Sequence, residues 1–115
     1  SFSPDGRQVV FSSTRDGDYD LYVMKSDGTG VRRLTDSPKQ DIRPRWSPDG
    51  RRIAFTSNRD GNYEIYLISP DGSGLSRVTN HPEQDDFAAW SPDGRRLVFV
   101  AERDGHQDLV SVDAP

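Results

Sequence analysis

The string Ser-Pro-Asp-Gly-Arg begins at Ser3, at Ser47 and again at Ser91, a spacing of 44 residues each time. A second string, Arg-Asp-Gly, keeps the same interval at Arg15, Arg59 and Arg103. Laying residues 3–46 on 47–90 leaves 21 of 44 positions identical. Self-similarity at a fixed period of roughly 20–50 residues marks a chain that uses one supersecondary unit repeatedly. Whatever a single period folds into, this chain folds into almost three times.

Each period reads as four short β-strands. Turn signals recur at Asp49-Gly50, Asp60-Gly61 and Asp71-Gly72, and Asp-Gly suits a hairpin because glycine accepts a positive φ. Between them lie residues 51–57, 63–68 and 75–79, rich in β-branched and aromatic side chains, and residues 41–46 supply a fourth strand. Ile53 and Phe55 fall on one face with Ala54 on the other; Tyr63, Ile65 and Leu67 alternate with Glu64, Tyr66 and Ile68. Apolar residues on both faces predict a sheet packed on two sides. Residues 35–41 and 79–85 lack Asp-Gly and are the longer loops that carry the chain from one sheet to the next.

A four-stranded antiparallel meander repeating at this length has the size of a β-propeller blade, which packs radially on its neighbours. The predicted fold is therefore all-β, a partial propeller of just under three blades forming a single domain over residues 1–115. Blade one covers about 1–40, blade two about 41–84, and blade three about 85–115 with its outermost strand missing. Phe11, Phe55 and Phe99 share one repeat position and Phe2, Trp46 and Trp90 another; both sets are expected in the packing between blades. Blade three has Gln107 and Val110 where the others have tyrosines, so thinner packing is expected there.

Hydrophobic residues make up 31% of the chain, lean enough to raise disorder as an alternative. Their clustering in short β-rich runs between turns argues for a folded unit. With no Cys, neither disulfides nor thiolate metal sites are available. Acidic residues outnumber basic ones, 19 to 15, which argues against a sequence-independent nucleic-acid binder. The arginine pairs at 32–33, 51–52 and 95–96 then read as solvated strand faces. No apolar run approaches the roughly 20 residues that a membrane-spanning helix needs. The first residue is Ser1, so a fragment of a longer protein, whose signal peptide could lie upstream, is expected.

The segment WSPDGRRIAFTSNRDGNYEIYLISPDGSGLSRVT resembles the WD40-like repeat of the TolB-type β-propellers, in its SPDG turn, its SNRDG hairpin, its IY strand and the DG before RVT. The resemblance covers essentially the whole chain. It implies a periplasmic or secreted setting and a non-catalytic scaffold that binds a protein or peptide partner, as TolB binds an envelope lipoprotein. It also leaves two alternatives: the accessory, substrate-gating propeller of a prolyl-oligopeptidase-like serine peptidase, and an engineered or excised propeller piece whose sole activity is self-assembly. Fewer than three blades cannot close a ring of about four to eight, so self-association to complete the propeller is expected, two copies giving a six-bladed ring.

Candidate site residues lie where loops enter the innermost strands, since rigid scaffolds carry function on such loops. They are Asp41, Arg43, Arg45, Asp85, Asp86 and Phe87 as partner-binding residues. Asp41 and Asp85 share a repeat position, and a ring of such carboxylates would make a negative funnel at one channel mouth. They are also the weak candidates for Ca²⁺; the simpler reading, preferred here, is a loop cap or an ion pair with Arg43 or another arginine. On this reading Asp41→Ala and Asp85→Ala should weaken partner binding and leave folding almost intact. No cofactor and no metal site are expected. The turn aspartates Asp5, Asp49, Asp93, Asp16, Asp60 and Asp104 read as backbone acceptors, and His81 and His106 lack metal-ligand spacing. No G-x-S-x-G, phosphate loop or H-E-x-x-H occurs, so no catalytic residue is assigned.

Overall fold

The computed structural model describes residues 1–81 and 83–115. Its strands, in chain order, are β1 (Gln8–Ser13), β2 (Asp20–Lys25), β3 (Arg32–Arg33), β4 (Asp41–Trp46), β5 (Ile53–Ser57), β6 (Glu64–Ile68), β7 (Ser76–Arg77), β8 (Asp85–Trp90), β9 (Arg96–Arg103) and β10 (His106–Asp113). They form three antiparallel sheets of order β1-β2-β3, β4-β5-β6-β7 and β10-β9-β8. The fold is all-β, a partial propeller. No helix among the described residues is long and apolar enough to cross a membrane.

The repeated SPDG motif builds the turns that precede β1, β5 and β9. Ser47 Oγ donates to Asp49 Oδ1 (2.6 Å), the Arg51 N–H donates to the same oxygen (3.0 Å), and the Arg52 N–H donates to Ser47 Oγ (3.0 Å). Gly50 closes the turn at φ 73°, a backbone region that side chains with a Cβ rarely occupy. The same three bonds recur around Asp5 and Asp93. The serine hydroxyl, followed by the backbone N–H, holds each of these carboxyls below the usual carboxylate range.

Sheet two lies between its neighbours, and every residue of β5 and β6 is buried. Alternation sorts its side chains into two cores. Ile53, Phe55, Tyr66 and Ile68 join Trp46 in packing on Val10, Leu21, Val23 and Leu34 of the first sheet and the loop after it. Ala54, Ile65 and Leu67 pack on Ala88, Leu97, Phe99 and Ala101 of the third. The predicted strand 75–79 shortens to β7 because the Val78 and Thr79 N–H groups both turn to the Ile65 carbonyl (2.8 and 3.4 Å), while the Ile65 N–H donates to Thr79 Oγ1 (3.0 Å). Pro82, in the loop predicted over 79–85, lies outside the described residues.

Two of the aromatic positions depart from expectation. Phe55, Phe99 and Trp46 are buried between sheets. Phe2, however, is 65% exposed and Phe11 only half-buried. Phe11 stacks on Tyr22 of its own sheet, with ring centroids 5.7 Å apart, and no sheet covers the far side. At the opposite end Leu109 stands where Ile65 stands in sheet two and is 76% exposed.

Candidate functional site

β4 and β8 carry all six residues singled out from the sequence. Each strand begins with an anchor to the preceding sheet: the Asp41 N–H donates to the Tyr19 carbonyl and the Asp85 N–H to the Tyr63 carbonyl, both at 2.8 Å. Their carboxylates turn into their own sheets and are fully buried. Arg59 Nη2 donates to Asp41 Oδ2 (2.9 Å) and Arg103 Nη1 donates to Asp85 Oδ1 (2.9 Å). A buried carboxylate needs such a partner, because leaving water without one is costly. The partners are Arg59 and Arg103, one period apart, and not Arg43. Both carboxylates are closed off from solvent, and among the described residues no cluster of three or more acidic or histidine ligands forms around them.

Two residues further on, both strands leave the β region. Arg43 has φ 54° and Phe87 has φ 58°. The ladders with β5 and β9 shift there, between Ile42 and Arg45 and between Asp86 and Ala89. Left-handed backbone costs a residue with a Cβ about 1–2 kcal/mol, and such strain in a native fold persists where the surroundings hold it. Pro44 is tolerated because β4 is an edge strand and the break is a bulge. The bulges throw the two side chains together from neighbouring sheets. The Arg43 guanidinium lies 4.3 Å from the centroid of the Phe87 ring, and its Nη1 lies 3.1 Å from Asp86 Oδ2. Asp86 Oδ1 also accepts from Thr56 Oγ1 (2.9 Å) and the Phe87 N–H (2.7 Å).

Phe87 is 57% exposed although it anchors this contact. Arg45 is exposed as well; its carbonyl accepts from Trp90 Nε1 (3.1 Å), which pins β4 to β8. Beside the bulge runs an open groove of about 550 Å³ lined by Tyr19, Gln40, Ile42, Arg43 and Arg45 among others. A guanidinium, an exposed aromatic face and a carboxylate held by three donors are equipment for recognition. Asp85 and Asp86 point to opposite sides of β8 and serve different partners, Arg103 and Arg43.

Elsewhere the side chains are occupied with structure. Tyr66 donates to Asp60, and burial, followed by that bond, pushes its hydroxyl pKa up. His81 Nδ1 accepts from the Glu83 N–H (3.1 Å) and His106 is exposed at the start of β10. The sequence reading passed over Arg59 and Arg103 as parts of a turn motif. Their recurrence in step with Asp41 and Asp85 was the signal that could have paired them. It also passed over two buried carboxylates, Asp20, which meets Arg33, and Glu64, which accepts from Asn62 and Thr79.

The model of a family described as the TolB β-propeller domain matches residues 1–115. The Tol-Pal system protein TolB of Anaeromyxobacter dehalogenans (strain 2CP-C) is 43% identical over 45 residues, 39% of this chain and 10% of that protein. A solved structure of a putative TolB from Agrobacterium tumefaciens is 33% identical, with a TM-score of 0.88, over 97% of this chain and 43% of that one. A puromycin-hydrolysing peptidase of Mycobacterium tuberculosis shares the fold at a TM-score of 0.78 and 17% identity, over 98% of this chain and 20% of the peptidase. The chain spans about a tenth of the length of the curated TolB relative it matches.

Proposed function

The chain belongs to the TolB β-propeller domain family, and from that premise we propose that it is a non-catalytic interaction scaffold that binds a protein or peptide partner at the channel mouth. Its blades are taken as residues 1–40, 41–84 and 85–115. Arg43, Arg45, Asp86 and Phe87 meet the partner, while Asp41 and Asp85 hold the strands beneath them. One observation carries the reading: two residues with a Cβ keep left-handed backbone at the same repeat position, and their side chains converge in an exposed contact. Sequence choice would relieve that strain with glycine unless the side chains were needed. The setting that goes with the family is periplasmic or secreted. The resemblance to the TolB-type propellers directs the search for a partner to an envelope lipoprotein, and curated relatives carry the name Tol-Pal system protein.

The test is a calorimetric titration with the soluble domain of a Pal-type lipoprotein. Saturable binding is expected, weakened at least tenfold in Arg43→Ala and in Phe87→Ala with unfolding temperatures little changed. Equal affinity in all three proteins would refute the assignment. The likeness to the puromycin-hydrolysing peptidase supports a second reading, in which this propeller gates access to a separate peptidase domain. A Ser-His-Asp hydrolase segment in the same reading frame would favour it. A third property, self-association through the two open end faces, is compatible with either.

A further inference from the structure

Asp-Gly occurs eight times in the chain, and in that dipeptide a backbone nitrogen can readily attack the side chain before it. Glycine has no side chain to obstruct the approach, and closure onto the aspartyl Cγ makes a five-membered ring. Ring closure requires two groups to be free, the glycine N–H and the aspartate carboxyl.

Seven of the eight pairs hold both groups. In the three SPDG turns the glycine N–H donates to the serine carbonyl three residues back, and the carboxylate accepts from the serine hydroxyl. In the β2–β3 and β6–β7 hairpins Gly28 and Gly72 donate to the Lys25 and Ser69 carbonyls, while Asp27 and Asp71 accept from Thr29 and Ser73. In the Arg-Asp-Gly turns of sheets one and two, Gly17 and Gly61 donate to the Thr14 and Asn58 carbonyls. The Tyr22 and Tyr66 hydroxyls donate to Asp16 and Asp60.

The eighth pair, Asp104-Gly105, is the two-residue turn between Arg103 and His106. Both residues are exposed, with φ of 53° and 79°, the two positive angles that a type I′ hairpin requires. Asp104 donates its N–H to the Glu83 carboxylate (3.0 Å). Among the described residues, however, no donor meets the Asp104 carboxylate and no acceptor meets the Gly105 N–H. The cause is local. Val110 stands where Tyr22 and Tyr66 stand and has no hydroxyl to give. Glu102 stands where Thr14 and Asn58 stand, but it lies within the ladder, opposite Gln107. Both positions belong to sheet three itself, so the difference is one of side chain and register.

We propose that Asp104-Gly105 is a modification site, at which spontaneous ring closure converts the aspartate to isoaspartate. The Gly105 nitrogen attacks Cγ of the protonated carboxyl. The N–Cγ bond forms, the N–H proton and the carboxyl hydroxyl leave together as water, and a succinimide results. Water then opens the ring. Cleavage between the Gly105 nitrogen and the Asp104 carbonyl carbon leaves the chain running through Cβ and Cγ, with no net change in mass or oxidation state. Exposed turns with few contacts open at low free energy, which lets the ring reach its geometry. The product places one extra methylene in the backbone beside Glu83, in the loop that leads into β8. The site shares no residue with the Arg43–Phe87 contact.

The full chain is held at neutral pH, sampled over days and digested. Isoaspartate is located by mass spectrometry and by methyl transfer from S-adenosylmethionine with an isoaspartyl methyltransferase. It is expected to accumulate at position 104 at least tenfold faster than at Asp5, Asp49, Asp60 or Asp71. In urea, where no turn is held, the rates should converge. Asp104→Asn, which keeps a favoured hairpin dipeptide, should lose ammonia at least tenfold faster than Asp49→Asn. Equal accumulation in the folded chain would overturn the proposal. So would fastest accumulation at another Asp-Gly, equal ammonia loss from the two variants, or a spread of rates that urea leaves unchanged.

Discussion

Asp41 and Asp85 illustrate how a residue can hold a functional position without being functional at its surface. Each is fully buried and bonded to an arginine of the same sheet. Removing one member of a buried pair strands the other and costs about 3–5 kcal/mol; Arg59 keeps 19% side-chain exposure, so the lower end of that range applies. The expectation that Asp41→Ala leaves folding almost intact is therefore replaced. Urea unfolding should register a loss of about 3 kcal/mol for Asp41→Ala. Much of it should be recovered in the double variant Asp41→Ala, Arg59→Ala, which leaves no uncompensated charge. Losses that simply add across the two sites would mean that the pair is not coupled. Phe87 and Arg43 stand at the opposite extreme, the one exposed, the other half-buried, and both strained.

One repeat position occupied by the same residue in different environments calibrates the elements. Phe55 is fully buried between two sheets, while Phe11 occupies the corresponding place on a face that nothing covers. Large-to-small changes in a core cost about 3–5 kcal/mol for phenylalanine, scaled by how closely the site is packed. Phe55→Ala should fall in that range in chemical unfolding, and Phe11→Ala should cost less than half as much; equal costs would mean that sheet one is covered in solution. The strands, turns and two-sided burial of sheet two were legible in the sequence because period, alternation and Asp-Gly turns agreed. The positions of Phe2 and Phe11 were not, because periodicity assigns a face to a residue without saying whether a neighbour lies against it. The bulges escaped for a different reason: left-handed backbone at arginine and phenylalanine violates the local preference that a sequence reading relies on. Placing Arg43, Asp86 and Phe87 in the candidate set rested on where loops meet strands, and the contact that joins them came from the structure.

At the scale of the whole molecule, the chain is a run of wedges whose two end faces match the faces already paired inside it. Val9 and Phe11 at one end correspond to Ile53 and Phe55, which are buried against the first sheet. Val98, Val100 and Leu109 at the other correspond to Ala54, Thr56 and Ile65, buried on the side of the third sheet. Exposed apolar faces and free strand edges favour association, and the interior pairs define which face meets which. Light scattering coupled to size-exclusion chromatography tests this most directly. The mass should rise with concentration toward that of two chains, and Leu109→Asp should return it to one. A single-chain mass at every concentration, in the parent as in the variant, would contradict the view that these end faces are built to meet another wedge.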